Sequence, residues 1–157
     1  MIDLFESKRL ARAQDKDEVF KRLDVKKDSR YGFFQQMTDI YIFALALGLK
    51  NRKRSKIIGP TSESIHVSYF TDEQKKFFDM AVLYSEAGKL ESLDKASEDC
   101  VSEMRKIIEE YTNGGLQIIL DHIQVHPEDA FNIVVRLIDR ELKDGLPEDI
   151  DEDISWA

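Results

Sequence analysis

Two histidines in the second half of the chain have the spacing of a metal site. His122 and His126 are four residues apart, so one helix would carry both imidazoles on the same face, with Asp121 and Glu128 as nearby oxygen ligands. Pro127, however, predicts that the helix ends near His126, and such an end would spoil the geometry. We therefore expect two surface histidines beside a turn, with no bound metal and no cofactor.

The sequence shows no signature of a catalytic centre. Cys100 lies beside an apolar helical stripe and is interpreted as a small core residue, since nothing in the sequence brings a base to it. Asp39 stands in an apolar context that would perturb the pKa of its carboxyl, although helix capping explains its position more simply. Gly114 and Gly115 lack the Lys and Ser/Thr of a phosphate-binding loop. We predict that the protein is not an enzyme.

A dense basic segment is the strongest candidate for a binding site. Five of the seven residues from 50 to 56 are cationic, and they directly follow an apolar stretch that would hold them in place. Such cations can contact a phosphate backbone, and the candidate nucleic-acid-binding residues are Lys50, Arg52, Lys53, Arg54 and Lys56. The alternative is a solvated loop that pairs with the acidic half of the molecule.

The charge balance limits the classes of partner. The 157 residues include 23 Lys and Arg against 31 Asp and Glu, giving a net charge of −8. This balance argues against a general nucleic-acid coat protein. The charge is also uneven, because residues 1–56 carry 14 basic and 8 acidic side chains while the remainder carry 9 and 23. Such asymmetry suits a protein that meets an anionic partner at one end.

Residues 146–157 form an acidic tail that also contains apolar side chains. Ile150, Ile154 and Trp156 are candidate partner-binding residues, which would anchor the tail as a docking peptide in a basic groove. The alternative is a flexible, solvating tail. We therefore divide the chain into a helical domain, residues 1–145, and this tail.

The apolar pattern predicts a mainly α-helical fold, a compact single-domain bundle of six or seven helices. Residues 2–10 suggest a first helix, and the almost wholly apolar residues 37–49 a buried central helix. Residues 71–74 match a capping box, and Asn113-Gly114-Gly115 predicts a helix end. One short strand or extended segment is expected at residues 65–70.

No contact with a membrane is expected. The longest apolar run, residues 40–49, is about half of what a bilayer requires, and the first residues do not resemble a secretory signal. We expect a cytoplasmic protein.

Two segments resemble those of a known bacterial family. Residues 37–54, MTDIYIFALALGLKNRKR, resemble a segment in which an aspartate and apolar residues precede a glycine and then an arginine. Residues 109–116, EEYTNGGL, look like the E-Y-A-N-G-G-L segment of the same family. This family is dnd system-associated protein 4, which accompanies the gene clusters for DNA phosphorothioation (Dnd).

The resemblance implies a bacterial setting and a class of partner. The clusters replace a non-bridging phosphate oxygen of DNA with sulfur and include restriction genes. The resemblance therefore implies a non-catalytic accessory, an adaptor or regulator, of this modification and restriction defence system, with other proteins of the system as partners. The alternative is a DNA-binding regulator that uses residues 50–56. Exposed aromatic residues such as Tyr31, Phe33 and Phe34 would also suit a homodimer.

Overall fold

A computed structural model describes residues 2–24, 33–126 and 130–145. Within these residues, five α-helices accompany a two-stranded sheet, so the mainly α-helical prediction is confirmed with fewer helices than expected. The elements in chain order are β1 (Arg9–Leu10), α1 (Asp17–Leu23), α2 (Met37–Lys50), β2 (Ile65–His66), α3 (Asp72–Ser85), α4 (Glu98–Val125) and α5 (Ala130–Gly145).

Helices α2 and α4 cross at the centre of the fold through small residues. A Cβ added to Gly48 of α2 would overlap the carbonyl oxygen of Tyr111, and one added to Gly115 of α4 would overlap that of Ala44. The two backbones therefore lie in direct contact, as residues without side chains allow. This crossing sets the position of the segment that directly follows α2, because Lys53 and Ser55 contact α4.

The prediction that Asn113-Gly114-Gly115 ends a helix is wrong. Helix α4 runs through these residues without interruption, which joins two of the expected helices into one. Glycine is common at helix ends because it tolerates positive φ, but here its missing side chain serves close approach. Gly114 lies against the carbonyl of Lys53, just as Gly115 lies against Ala44.

The first residues do not form the expected helix. Arg9 and Leu10 instead pair antiparallel with His66 and Ile65. Leu10 and Ile65 are both buried, so the pairing closes one side of the core. The strand expected at residues 65–70 is present only at Ile65–His66, and a 3-10 turn follows at Val67–Tyr69.

The capping box at the start of α3 is confirmed. The Thr71 hydroxyl accepts from the Gln74 backbone N–H, and the Gln74 side chain accepts from the Thr71 N–H. Gln74 also donates to the Asp39 carboxylate over 3.0 Å. Asp39 therefore connects α2 to α3. The capping explanation for Asp39 is wrong, because no side chain of the described residues caps the N-terminus of α2.

Helix α5 packs on the same core through one apolar stripe. Ile133 and Leu137 are fully buried with Ile119 and Leu116 of α4. Among the described residues, no helix is both long enough and apolar enough to cross a membrane.

Candidate functional site

The basic segment begins in a helix-ending turn that contains an unusual arginine. Helix α2 ends in a Schellman motif, in which the Arg52 N–H donates to the Leu49 carbonyl and the Lys53 N–H donates to the Gly48 carbonyl. The residue directly before Lys53 must adopt positive φ in this motif, and glycine usually occupies that position. Here it is Arg52, with φ of 53°. The arginine side chain is thus present at a position where the backbone favours glycine.

The middle of α4 holds the rest of the basic segment. The side-chain amide of Asn113 donates to the carbonyls of Ser55 and Lys56, each over 3.2 Å. The Ser55 N–H donates to the Glu110 carbonyl over 3.0 Å. The backbone of the segment is therefore attached to the core by hydrogen bonds. Its side chains start from a backbone whose position is fixed.

Arg54 faces the protein's own acidic residues. Its guanidinium lies 2.8 Å from the Glu110 carboxylate and 3.7 Å from that of Glu103. It also lies 5.8 Å from the centre of the Tyr111 ring. These contacts neutralise the charge of Arg54. Arg54 therefore pairs with the acidic half of the molecule, which was the alternative to a role in nucleic-acid binding.

Lys50 is also paired, through an acidic residue of α5. Its amine lies 3.9 Å from the Glu141 carboxylate, which also accepts from the Asn51 side chain over 2.9 Å and from Arg140 over 3.1 Å. Glu141 thus joins α5 to the end of α2.

Arg52 and Lys53 line an open cleft of about 710 Å³. The opposite wall is formed by the last turns of α4 and by Arg140 of α5. Neither Arg52 nor Lys53 belongs to an ion pair of the described residues. Three cations from two distant parts of the sequence therefore share one concave surface, and Arg140 is the one that sequence reasoning did not find.

His122 and His126 line this cleft, and Glu128, a candidate metal ligand from the sequence, lies outside the described residues. The two imidazole rings lie 4.9 Å apart, centre to centre, with His122 in the final turn of α4 and His126 directly after it. Asp121, also in the lining, accepts from the Gln117 amide over 2.8 Å. The described residues contain no cluster of three or more His, Cys, Asp or Glu side chains arranged to hold a metal ion. His66 lies elsewhere, against Tyr69.

A second cluster of polar groups lies inside the protein. The Tyr41 hydroxyl donates to the Ala11 carbonyl over 3.1 Å, and the Glu109 carboxylate accepts from the Ala11 N–H. Burial raises the pKa of Glu109, opposed by the Ala11 hydrogen bond and by Arg105. Burial also holds the pKa of Tyr41 well above its ordinary value. These groups fasten the chain after β1 to the core, and local sequence patterns gave no sign of the pairing.

Two apolar grooves run along α2, and they share Ala46 and Lys50. The groove toward α3, about 530 Å³, is lined by Met80 and Tyr84, which are 55% and 53% exposed. The groove toward α5, about 260 Å³, is lined by Leu142, which is 59% exposed. Large apolar side chains on both sides of one helix form an exposed hydrophobic surface of the kind that binds other proteins.

The remaining candidate residues from the sequence lie only partly within the residues that the structure describes. Ile150, Ile154 and Trp156 lie outside the described residues, as does Tyr31. Phe33 is 43% exposed, while Phe34 packs against Phe43 of α2. Cys100 is half-buried at the start of α4, and its Sγ lies 3.6 Å from the Glu91 carbonyl oxygen.

Comparison with known proteins identifies a matching family. The family model for DNA sulphur modification system-associated protein 4 matches residues 9–155, which include both segments that resemble the family. No curated protein and no solved structure matches the chain. Because the family model covers nearly the whole chain, the protein belongs to the DNA sulphur modification system-associated protein 4 family.

Proposed function

We propose that this protein is a non-catalytic accessory, an adaptor or regulator, of a bacterial DNA sulphur modification and restriction system, and that it acts in the cytoplasm through protein–protein contacts. The single observation that carries the proposal is the pair of apolar grooves along α2. They are joined at Ala46, so one partner segment would contact both.

The chemistry of the grooves indicates the kind of segment that would bind. Lys50 lines both grooves, and Arg52 lines the end of the one beside α3. An amphipathic helix that offers apolar side chains to Met80 and Leu142 and a carboxylate to Arg52 would match this surface, since Lys50 is already paired with Glu141. We therefore propose an acidic amphipathic helix of a modification or restriction protein as the partner.

The experiment is pairwise co-expression of the full chain with each modification and restriction protein of its own cluster. Complexes would be isolated by size-exclusion chromatography and their affinities measured by calorimetry. The groove variant Met80→Asp with Leu142→Asp should weaken the complex at least about tenfold, as for loss of interface anchors. The matched control, Ile58→Asp with Leu90→Asp, changes two side chains that are 84% and 72% exposed outside the grooves. It should bind like the wild type. Absence of a complex with every tested protein would refute the proposal.

A second candidate function is a DNA-binding regulator that uses the basic segment. The observation that favours it is the cationic cleft, to which the segment contributes Arg52 and Lys53. Lys50 and Arg54 are engaged in ion pairs, which leaves Arg52, Lys53 and Lys56 as the stronger candidates of the original five. Charge reversal at Arg52 should then weaken salt-sensitive DNA binding far more than charge reversal at Arg54.

A further inference from the structure

The cleft beside the basic segment combines charges that are separated in the sequence. Arg52 and Lys53 leave the end of α2, and Arg140 comes from α5. The molecule as a whole carries a net charge of −8, so three cations on one concave surface form a local exception. Asp121 contributes one carboxylate to the same lining, so cations outnumber acidic side chains there by three to one. A concave surface with a net positive charge concentrates anionic ligands.

Among the described residues, Asp121 lies in the cleft and Glu141 lies beside it, and the amide that donates to Asp121 is neutral, so Asp121 keeps its charge. The Asp121 carboxylate accepts from the Gln117 amide, and Glu141 is shared among Lys50, Asn51 and Arg140. One carboxylate therefore faces more than one cation. This arrangement leaves positive charge available to a ligand at the cleft surface.

The backbone at Arg52 supports a binding role. Residues other than glycine at positive φ cost about 1 kcal/mol or more, and such positions cluster at functional sites. Glycine at this place would remove the strain, but it would also remove the guanidinium from the cleft. The Lys53 backbone is fixed as well, by its N–H bond to Gly48 and by its contact with Gly114. Both cations thus start from an ordered main chain.

The imidazoles complete the lining with further hydrogen-bonding groups. His122 and His126 both line the cleft on the wall opposite the basic segment. Guanidinium, ammonium and imidazole groups together are the usual protein ligands of a phosphate group. Apolar residues in the lining are few, namely Ile118 and Val125.

We propose that this cleft is a phosphate-binding site, with Arg52, Lys53 and Arg140 holding the phosphate. The phosphate belongs either to a nucleic-acid backbone or to a free nucleotide, because both present the same anion. The inference deepens the second candidate function by moving its site from the linear segment to the cleft. It does not depend on the apolar grooves.

The test is fluorescence anisotropy of the full chain with a labelled short DNA duplex across a salt series, with calorimetry of AMP and inorganic phosphate as separate arms. The cleft variant is Lys53→Gln with Arg140→Gln. The matched control, Lys76→Gln with Lys143→Gln, removes two positive charges from exposed positions outside the cleft. Loss of two phosphate contacts should lower the slope of log affinity against log salt by about 1.8 and the affinity at least about tenfold.

Thermal unfolding of each variant verifies that it is folded. Arg52→Ala provides a further variant, because Arg52 belongs to no ion pair of the described residues and its loss leaves no acidic partner behind. Arg52→Ala should weaken binding of the same ligand, whether DNA duplex, AMP or phosphate, that the double variant affects.

The outcomes separate the site from its ligand. Weaker duplex binding in the cleft variants, with an unchanged control, supports the site and a nucleic-acid ligand. The same pattern with AMP or phosphate alone supports the site and excludes the DNA-binding regulator. Lack of binding in all arms at low salt, or an equal loss in the control, overturns the proposal.

Discussion

Gly115 of α4 lies directly on the backbone of Ala44 in α2. A Cβ built on Gly115 would stand 3.0 Å from the Ala44 Cα and closer still to the Ala44 carbonyl oxygen. Main-chain atoms cannot move aside as a flexible side chain can. The distance between the two central helices is therefore set by the absence of a side chain.

We predict that Gly115→Ala destabilises the protein by about 3 kcal/mol or more, because the helices must separate to admit the methyl group. Urea unfolding followed by circular dichroism measures the change. Gly59→Ala is the matched control, since nothing lies within 4 Å of its added Cβ and only its φ of 90° opposes the change. Its cost should be nearer 1 kcal/mol. Equal effects of the two substitutions would contradict the close crossing.

Arg52→Gly is expected to stabilise the fold while it weakens phosphate binding. Glycine relieves the positive φ of the Schellman motif, a gain of about 1 kcal/mol in the free energy of unfolding. Arg52→Ala removes the same guanidinium but keeps a Cβ, so it should weaken binding without that gain. Chemical denaturation and the salt-series anisotropy together measure both effects.

Ala87→Gly provides an independent check on this reasoning. Ala87 follows α3 with φ of 55°, the Gly88 N–H donates to the Leu83 carbonyl as in the longer bond of a Schellman motif, and Ala87 lies outside the cleft. The substitution should stabilise the fold by a similar amount and leave binding unchanged. Loss of stability at both positions would show that strain at these turns is not the governing effect.

Arg54 is predicted to contribute to stability rather than to binding. Its partner Glu110 has a side chain that is 12% exposed, so Arg54→Gln leaves a largely buried carboxylate without its cation. We expect a loss of about 1–2 kcal/mol. The double variant Arg54→Gln with Glu110→Gln should recover part of it, which a double-mutant cycle measures. A large loss of DNA affinity with unchanged stability in Arg54→Gln would reverse the assignment.

Glu109 should make stability decrease as the pH rises. Burial raises the pKa of its carboxyl above the ordinary value near 4.5, so the folded protein holds this proton more tightly than the unfolded chain. The contribution of Glu109 to the free energy of unfolding is largest below the ordinary pKa. It decreases as the pH rises toward the raised pKa and is constant above it. Glu109→Gln removes the titration and can still accept from Ala11.

The difference in unfolding free energy between Glu109→Gln and the wild type should therefore increase in favour of the variant above pH 4.5 and then level off. Denaturation at a series of pH values measures it. A difference that is independent of pH would show that the carboxyl titrates alike in both states.

Several elements follow from the sequence because their determinants are local. The apolar run of α2 and the capping box of Thr71 and Gln74 act over a few residues, and their periodicity or hydrogen bonding is visible in the chain itself. The helical class follows from such patterns. The basic segment was also recognised from composition, since charge density requires no knowledge of contacts.

Only the tertiary structure decided which residues the glycines of α4 and the charged side chains contact. Gly114 and Gly115 look like a helix end, because a glycine that permits positive φ and one that permits close packing are identical in sequence. The pairing of Arg54 with Glu110 spans 56 positions, and Arg140 reaches the cleft from the far end of the chain. Sequence alone therefore determined the helical class, the central helix α2 and the charged segments. The crossing of α2 and α4 determined which charges are neutralised and which remain available, because long-range packing selects the partner of each side chain.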